Sequence, residues 1–147
     1  MRTEAAVLWE YQHDWQIEEL ELDDPKHGEV MVKLAASGLC HSDEHVRVGD
    51  LPLAALPGIG GHEGAGVVAR VGPGVTSVRE GDHVVLSFVP ACGRCAWCAI
   101  GRQNLCDEGA NLTVGLQRDG TARHRVRGQD ARLMCLLGTF APYTVCG

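Results

Sequence analysis

Residues 64–78 read GAGVVARVGPGVTSV, and they indicate the fold class. Val67 and Val68 are β-branched and favour an extended strand, whereas Pro73 and the glycines on either side of it favour a turn. Residues 81–89, GDHVVLSFV, repeat this order of turn and β-branched run. We therefore expect short strands joined by tight turns, and the 19 glycines of the chain suit those turns.

The remaining patterns agree with a mainly β protein. Residues 29–38, EVMVKLAASG, alternate in polarity and place three apolar side chains on one face of a strand: Val30, Val32 and Leu34. The clearest helix signal is SDEHVRVG, where Ser42 or Asp43 is expected to cap the N-terminus and Gly49 to end the helix. We predict an all-β barrel or sandwich with a few short helices.

Composition excludes several classes of function. The chain has 147 residues, of which 45% are hydrophobic and 22% charged, as expected for one globular domain. A net charge of -6 argues against binding to nucleic acid or to an anionic membrane surface. No apolar stretch approaches the roughly 18 residues of a spanning helix, so we expect no membrane segment. The prediction is a cytoplasmic protein whose partners are small molecules or other proteins.

Residues 91–106, ACGRCAWCAIGRQNLC, form a four-cysteine loop with the spacing C-x2-C-x2-C-x7-C. Its thiols belong to four of the seven cysteines of the chain: Cys92, Cys95, Cys98 and Cys106. Four thiolates close a tetrahedral site around zinc and leave no open position for a substrate. We therefore predict a structural zinc site in this loop.

Two alternatives remain for the four-cysteine loop. Bacterial ferredoxins bind iron–sulfur clusters with a shorter last gap followed by proline, whereas Asp107 follows the last cysteine here. Disulfides are disfavoured in a chain predicted to be cytoplasmic, where cysteines bunched in this way more often bind a metal.

A second set of candidate ligands lies in two other segments. Residues 38–45 read GLCHSDEH and residues 61–68 read GHEGAGVV, so that Cys40, His62 and Glu63 could converge from two loops. Taken singly, Cys40 is more often a buried apolar residue and His62 a surface turn residue. The interest of the set lies in its combination of thiolate, imidazole and carboxylate.

These motifs, in this order, resemble the catalytic domain of the zinc-dependent medium-chain alcohol dehydrogenases, over most of the chain. The resemblance implies a GroES-like barrel with two zinc sites. The four-cysteine loop matches the structural site. Cys40 and His62 match two of the three ligands of the catalytic zinc, and Glu63 matches a neighbouring carboxylate that can approach the metal.

The resemblance also implies roles for the residues that follow Cys40. Ser42 matches the hydroxyl that accepts the proton of the alcohol, and His45 matches the end of a relay that passes it to solvent. His41 matches a position that faces the pyrophosphate of the cofactor. Asp43 matches a carboxylate that orients the zinc-bound histidine. Without the resemblance, a helix cap and exposed helical histidines would be the expected explanations.

The resemblance places the third catalytic ligand and the nicotinamide-binding Rossmann domain further along the chain. Residues 64–69, GAGVVA, satisfy the dinucleotide pattern G-x-G-x-x-A, but a strand and turn are expected there rather than a helix. Cys135 and Cys146 are interpreted as core or strand cysteines. Residues 1–147 are thus predicted to be a GroES-like catalytic domain truncated before the Rossmann domain, inactive alone and with a vacant or partial catalytic site.

For the full-length parent, the resemblance implies zinc-dependent oxidation of an alcohol to an aldehyde or ketone with NAD, in a homo-oligomer. LCHSDEHVRVGD and GTFAPYTVCG also resemble an actinobacterial branch that keeps its nicotinamide permanently bound. One alternative is an S-(hydroxymethyl)glutathione or formaldehyde dehydrogenase of the same superfamily. The other is a non-catalytic, zinc-stabilised binding module.

Overall fold

The computed structural model describes residues 1–147 and contains ten strands and two short α-helices. The strands, in chain order, are β1 (Arg2–Leu8), β2 (Gln16–Leu22), β3 (Val30–Ser37), β4 (Gly58–Ile59), β5 (Gly64–Val71), β6 (His83–Val85), β7 (His124–Val126), β8 (Gln129–Asp130), β9 (Arg132–Leu133) and β10 (Tyr143–Cys146). The helices are α1 (His41–Val48) and α2 (Ala96–Ala99). Three 3₁₀ turns span Gln103–Leu105, Asp107–Asn111 and Met134–Leu136.

The strands form two sheets that enclose the core. One sheet has the order β8-β7-β2-β1-β4-β9 and the other the order β10-β3-β5-β6. All pairs are antiparallel except β4 with β9. The largest apolar cluster joins buried side chains of the first sheet, including Val7, Leu20, Ile59, Val126 and Leu133. The mainly β prediction is confirmed, and neither helix is long enough to span a bilayer.

Strand β3 shows the predicted alternation. Val32 packs with Leu137 and Cys146 in one apolar cluster, and Val30 and Leu34 lie against the same cluster. Met31, on the opposite face, packs with Leu22 and Val145 in another cluster. All four residues of β10 pair with the first half of β3, and apolar clusters lie on both faces of that half.

Residues 64–69 form a strand, as predicted, and not the turn and helix of a dinucleotide site. Strand β5 pairs with β3 on one side and with β6 on the other. The glycine at position 66 is explained by close packing, because a Cβ there would lie 2.1 Å from the carbonyl oxygen of Lys33. This glycine therefore serves the contact between two strands.

Helix α1 begins earlier than predicted. Its N-cap is Cys40, and Ser42 and Asp43 lie within the helix, so the predicted cap was wrong. The reason is that the carboxylate of Asp43 reaches back to accept a hydrogen bond from the backbone N–H of Cys40 at 3.0 Å. The predicted end was correct, since Gly49 has the left-handed backbone conformation with φ of 93°.

Candidate metal centres

The four-cysteine loop folds so that its four sulfur atoms all lie within 4.8 Å of one another. Backbone N–H groups aim at the sulfurs: the amide of Cys95 donates to Cys92 Sγ, and the amide of Cys98 to Cys95 Sγ, each at 3.4 Å. The amide of Cys92 donates to Cys106 Sγ at the same distance. None of the four cysteines forms a disulfide. The short helix α2 begins directly after Cys95 and contains Cys98, which is buried.

The N–H···S bonds change the acidity of the thiols. Bonds from the backbone of Arg94 and Cys95 lower the pKa of Cys92 to about 6. Bonds from the backbone of Asp107 and Cys98 lower the pKa of Cys95. Burial has the opposite effect on Cys98 and raises the pKa of its thiol to about 12. Four converging sulfurs, two of which have a lowered thiol pKa, fit a closed zinc site.

A second centre, here called the Cys40–His62 cluster, consists of Cys40, His62 and Glu63. Their ligand atoms also lie within 4.8 Å of one another. Cys40 is the N-cap of α1, whereas His62 and Glu63 lie between β4 and β5, so two separate loops supply the donors. A thiolate, an imidazole and a carboxylate are suitable ligands for zinc, and three donors leave a position for another ligand.

Asp43 connects the two loops of this cluster. Its Oδ2 accepts the N–H of Cys40 and its Oδ1 accepts the N–H of Gly61, both at 3.0 Å. The same Oδ1 lies 3.4 Å from Nδ1 of His62, slightly longer than an ordinary hydrogen bond. Nδ1 of His62 is buried and has no closer partner. With Nδ1 directed at a carboxylate, the other ring nitrogen of His62 is available to a metal.

The other predicted residues lie around the first turn of α1. Ser42 Oγ is 3.6 Å from Cys40 Sγ, so its hydroxyl is adjacent to the cluster. The side chain of His45 is 46% exposed, and its Nδ1 lies 3.2 Å from Asp50 Oδ2. His41 is exposed and packs edge-on against His45, with ring centroids 4.8 Å apart. The structure therefore brings Ser42 to the cluster, while both histidines lie at the surface.

A cavity of about 410 Å³ opens from the Cys40–His62 cluster. Half of its lining consists of the three cluster residues with Ser42, Thr113 and Cys135. The other half is apolar: Val46, Leu51, Leu53, Phe88, Leu112 and Met134. Phe88 also stands edge-on to the His62 ring, with centroids 5.9 Å apart. These lining residues come from distant segments, and no local spacing in the sequence indicates them.

The two remaining cysteines differ from each other. Cys146 is buried in β10, as predicted. Cys135 is only half-buried and lines the cavity, in a turn where its φ is 52°. Partial burial raises the pKa of its thiol to about 11. The interpretation of Cys135 as a core or strand cysteine was therefore incomplete, because the residue also borders the candidate site.

The chain is similar to known alcohol dehydrogenases. The alcohol dehydrogenase GroES-like domain family matches residues 26–146. Alcohol dehydrogenase B of Mycobacterium tuberculosis is 50% identical over 146 residues, which are 99% of this chain and 39% of that protein. The NDMA-dependent alcohol dehydrogenase of Amycolatopsis methanolica is 55% identical over 141 residues, which are 96% of this chain and 38% of that protein.

A solved structure gives the same result for the fold. An alcohol dehydrogenase zinc-binding domain protein from Burkholderia ambifaria superposes with a TM-score of 0.92 at 38% identity, over 99% of this chain and 40% of that one. The chain thus spans less than half the length of these relatives. The predicted GroES-like fold is confirmed, and the chain belongs to the alcohol dehydrogenase GroES-like domain family.

Proposed function

We propose that this chain carries the metal and alcohol site of a zinc-dependent alcohol dehydrogenase that oxidises an alcohol to an aldehyde or ketone, with NAD as hydride acceptor. The observation that carries the proposal is the Cys40–His62 cluster at one end of a largely apolar cavity, with the Ser42 hydroxyl beside it. Donors for a metal, a proton acceptor and space for a substrate coincide there.

The two centres have different proposed tasks. The four-cysteine loop holds a structural zinc, because four sulfur donors leave no position for a substrate. Cys40 and His62, with Glu63 close by, hold the catalytic zinc. A zinc ion bound there would supply Lewis-acid chemistry that lowers the pKa of an alcohol hydroxyl.

Three residues of α1 have proposed roles in proton transfer and cofactor binding: Ser42, His45 and His41. Ser42 Oγ, 3.6 Å from Cys40 Sγ, receives the proton from an alcohol placed beside the cluster. His45 is in contact with solvent and takes the proton onward, which requires one bridging hydroxyl or water because Ser42 and His45 are not hydrogen-bonded to each other. His41 lies exposed on the same helix, where a protonated imidazole would attract a cofactor phosphate.

The cavity favours a simple alcohol over a glutathione adduct. Its lining is mostly apolar and includes no lysine or arginine, whereas glutathione carries carboxylates that a specific site would pair with cations. A non-catalytic binding module is also disfavoured, because it has no need for a thiolate, an imidazole and a hydroxyl in one cavity. Both alternatives predicted from the sequence are therefore ranked below an alcohol dehydrogenase.

The similarity to an NDMA-dependent alcohol dehydrogenase supports a further part of the proposal. In that part, the nicotinamide stays bound between turnovers and an external acceptor regenerates it. The cytoplasmic location, the homo-oligomer and the inactivity of residues 1–147 alone stay predictions.

The test uses a longer polypeptide in which residues 1–147 are followed by a nicotinamide-binding domain. Ser42→Ala is expected to lower kcat by about 100-fold or more, as for loss of a general base, with the zinc content unchanged. Ser77→Ala, in an exposed turn, is the matched control and should keep full activity. Unchanged turnover of primary and secondary alcohols by Ser42→Ala would contradict the proposed role.

A further inference from the structure

A pair of histidines on helix α1 has the spacing of a metal chelate. His41 and His45 are four residues apart, so their side chains project from the same face one turn from each other. Both are exposed, and their ring centroids are 4.8 Å apart. Two histidines at this spacing on a helix can bind one zinc-like ion, as in helical metalloprotease motifs.

A carboxylate supports one member of this pair. Nδ1 of His45 lies 3.2 Å from Oδ2 of Asp50, which leaves Nε2 as the free ring nitrogen. Metal-binding histidines almost always direct their second ring nitrogen at a carboxylate, carbonyl or water, because this fixes the ring and raises its basicity. The environment of His45 is thus that of a ligand with its supporting group in place.

The neighbouring acidic residues have other partners. Both carboxylate oxygens of Glu44 bind the guanidinium of Arg47 at 2.7 Å. Asp43 is buried and bonded to the backbone of the Cys40–His62 cluster. Neither carboxylate is available to a metal at the histidine pair, so the two imidazoles are the ligands and water would complete the coordination.

We propose that His41 and His45 form a third metal site with Asp50 as the supporting carboxylate. This site reversibly binds a divalent metal cation of intermediate softness, such as Zn²⁺, Ni²⁺ or Co²⁺. The site differs from both cysteine-containing centres because its donors are two imidazoles and because it lies at the surface. Imidazole suits zinc and nickel, whereas magnesium and calcium prefer oxygen ligands. Only excess metal would occupy the site, since two protein ligands bind weakly.

Occupancy of the pair has a consequence that rests on the proposed function. A His45 ring bound to a metal at Nε2 has no lone pair there to accept the proton arriving from Ser42. Excess zinc or nickel would therefore slow proton release without displacing metal from the cysteine-containing centres.

The test is a calorimetric titration with nickel chloride of the Cys40→Ser chain, in which the four-cysteine loop is loaded with zinc and the second cluster has no thiolate, followed by absorbance in the near ultraviolet. This Cys40→Ser chain should show a nickel-binding event without a thiolate charge-transfer band. His41→Gln and His45→Gln should each weaken it at least about tenfold, and Asp50→Asn about tenfold, as for loss of a supporting group. His83→Gln, an exposed histidine on β6, should leave it unchanged.

Three results would overturn the site: no nickel binding by the Cys40→Ser chain, unchanged binding when either His41→Gln or His45→Gln is added to it, or a thiolate charge-transfer band that accompanies the event. The measurement involves no turnover. Failure of the histidine site would leave the proposed dehydrogenase function intact, and failure of that function would leave nickel binding unaffected.

Discussion

Asp43 and His62 face each other in the interior of the protein. Oδ1 of Asp43 lies 3.4 Å from Nδ1 of His62, and each side chain is only 7% exposed. The same carboxylate also holds the N–H groups of Cys40 and Gly61. One buried residue thus positions both the thiol and the imidazole of the Cys40–His62 cluster.

We expect Asp43→Asn to lower zinc affinity at the Cys40–His62 cluster by about 10–100-fold, because the amide loses the charge that orients and polarises His62. The four-cysteine loop should keep its affinity. Competition with a chromophoric chelator measures the zinc affinities of the Cys40–His62 cluster and of the four-cysteine loop. Glu44→Gln is the control, since Glu44 bonds Arg47 on the exposed side of α1. Equal affinity in Asp43→Asn and the wild type would refute this role.

The buried ion pair between Arg123 and Glu29 should contribute strongly to stability. The side chain of Arg123 is only 1% exposed. Its guanidinium donates to both carboxylate oxygens of Glu29, at 2.8 and 2.6 Å. Removing it with Arg123→Met leaves a buried carboxylate unpaired, so the free energy of unfolding should fall by about 3–5 kcal/mol. Urea denaturation measures the loss.

The matched control for that pair is Arg79→Ala, which breaks an exposed pair with Asp82. Its effect should stay within about 0.5 kcal/mol. If the two variants lost similar stability, the buried pair would have no special role.

Gly66→Ala should destabilise the sheet that carries β3, β5 and β6. The new methyl group would lie 2.1 Å from the carbonyl oxygen of Lys33, which requires the strands to separate. Overpacking of this kind costs about 1–3 kcal/mol or more. Gly109→Ala is the control, because nothing lies within 4 Å of the added carbon. Equal thermal stability of the two variants would contradict the close packing.

His124 should make stability depend on pH. Burial lowers the pKa of this imidazole from 6.5 to about 3. Its Nε2 lies 3.2 Å from the Thr144 hydroxyl, which donates to the carbonyl of Leu137, so Nε2 carries the proton and the buried Nδ1 has no partner. Protonation of Nδ1 would place an uncompensated charge in the core.

As the pH falls below 6.5, the unfolded chain therefore takes up this proton before the folded chain does. The contribution to the free energy of unfolding is complete above pH 6.5 and decreases toward pH 3, by at most about 1.4 kcal/mol per pH unit. In His124→Gln, the urea midpoint should change less steeply over this range than in the wild type. Parallel profiles for the two proteins would exclude His124 as the cause.

The local features of this fold could be predicted from sequence because neighbouring residues determine them. The cysteine spacing indicated the four-cysteine loop, alternating polarity indicated β3, and a β-branched run with glycines indicated β5. The convergence of Cys40 and His62 was predicted from the two motifs that contain them, GLCHSDEH and GHEGAGVV.

Features that depend on packing between distant segments were not predicted. The sequence places Glu29 and Arg123 94 residues apart, and nothing local indicates that they meet. Phe88, Leu112 and Cys135 reach the cavity from separate loops. The N-cap of α1 was misplaced because the buried role of Asp43 appears only when Gly61 is beside it.

The central claim is that the two cysteine-containing centres have separate tasks, and the zinc content of the purified chain tests it most directly. By elemental mass spectrometry after dialysis, we predict about one zinc and no iron per chain, since only the four-cysteine loop is a closed site. Cys40→Ser should keep this zinc and Cys95→Ser should lose it. Loss of the tightly held zinc from Cys40→Ser, retention by Cys95→Ser, or iron in the wild type would contradict the account.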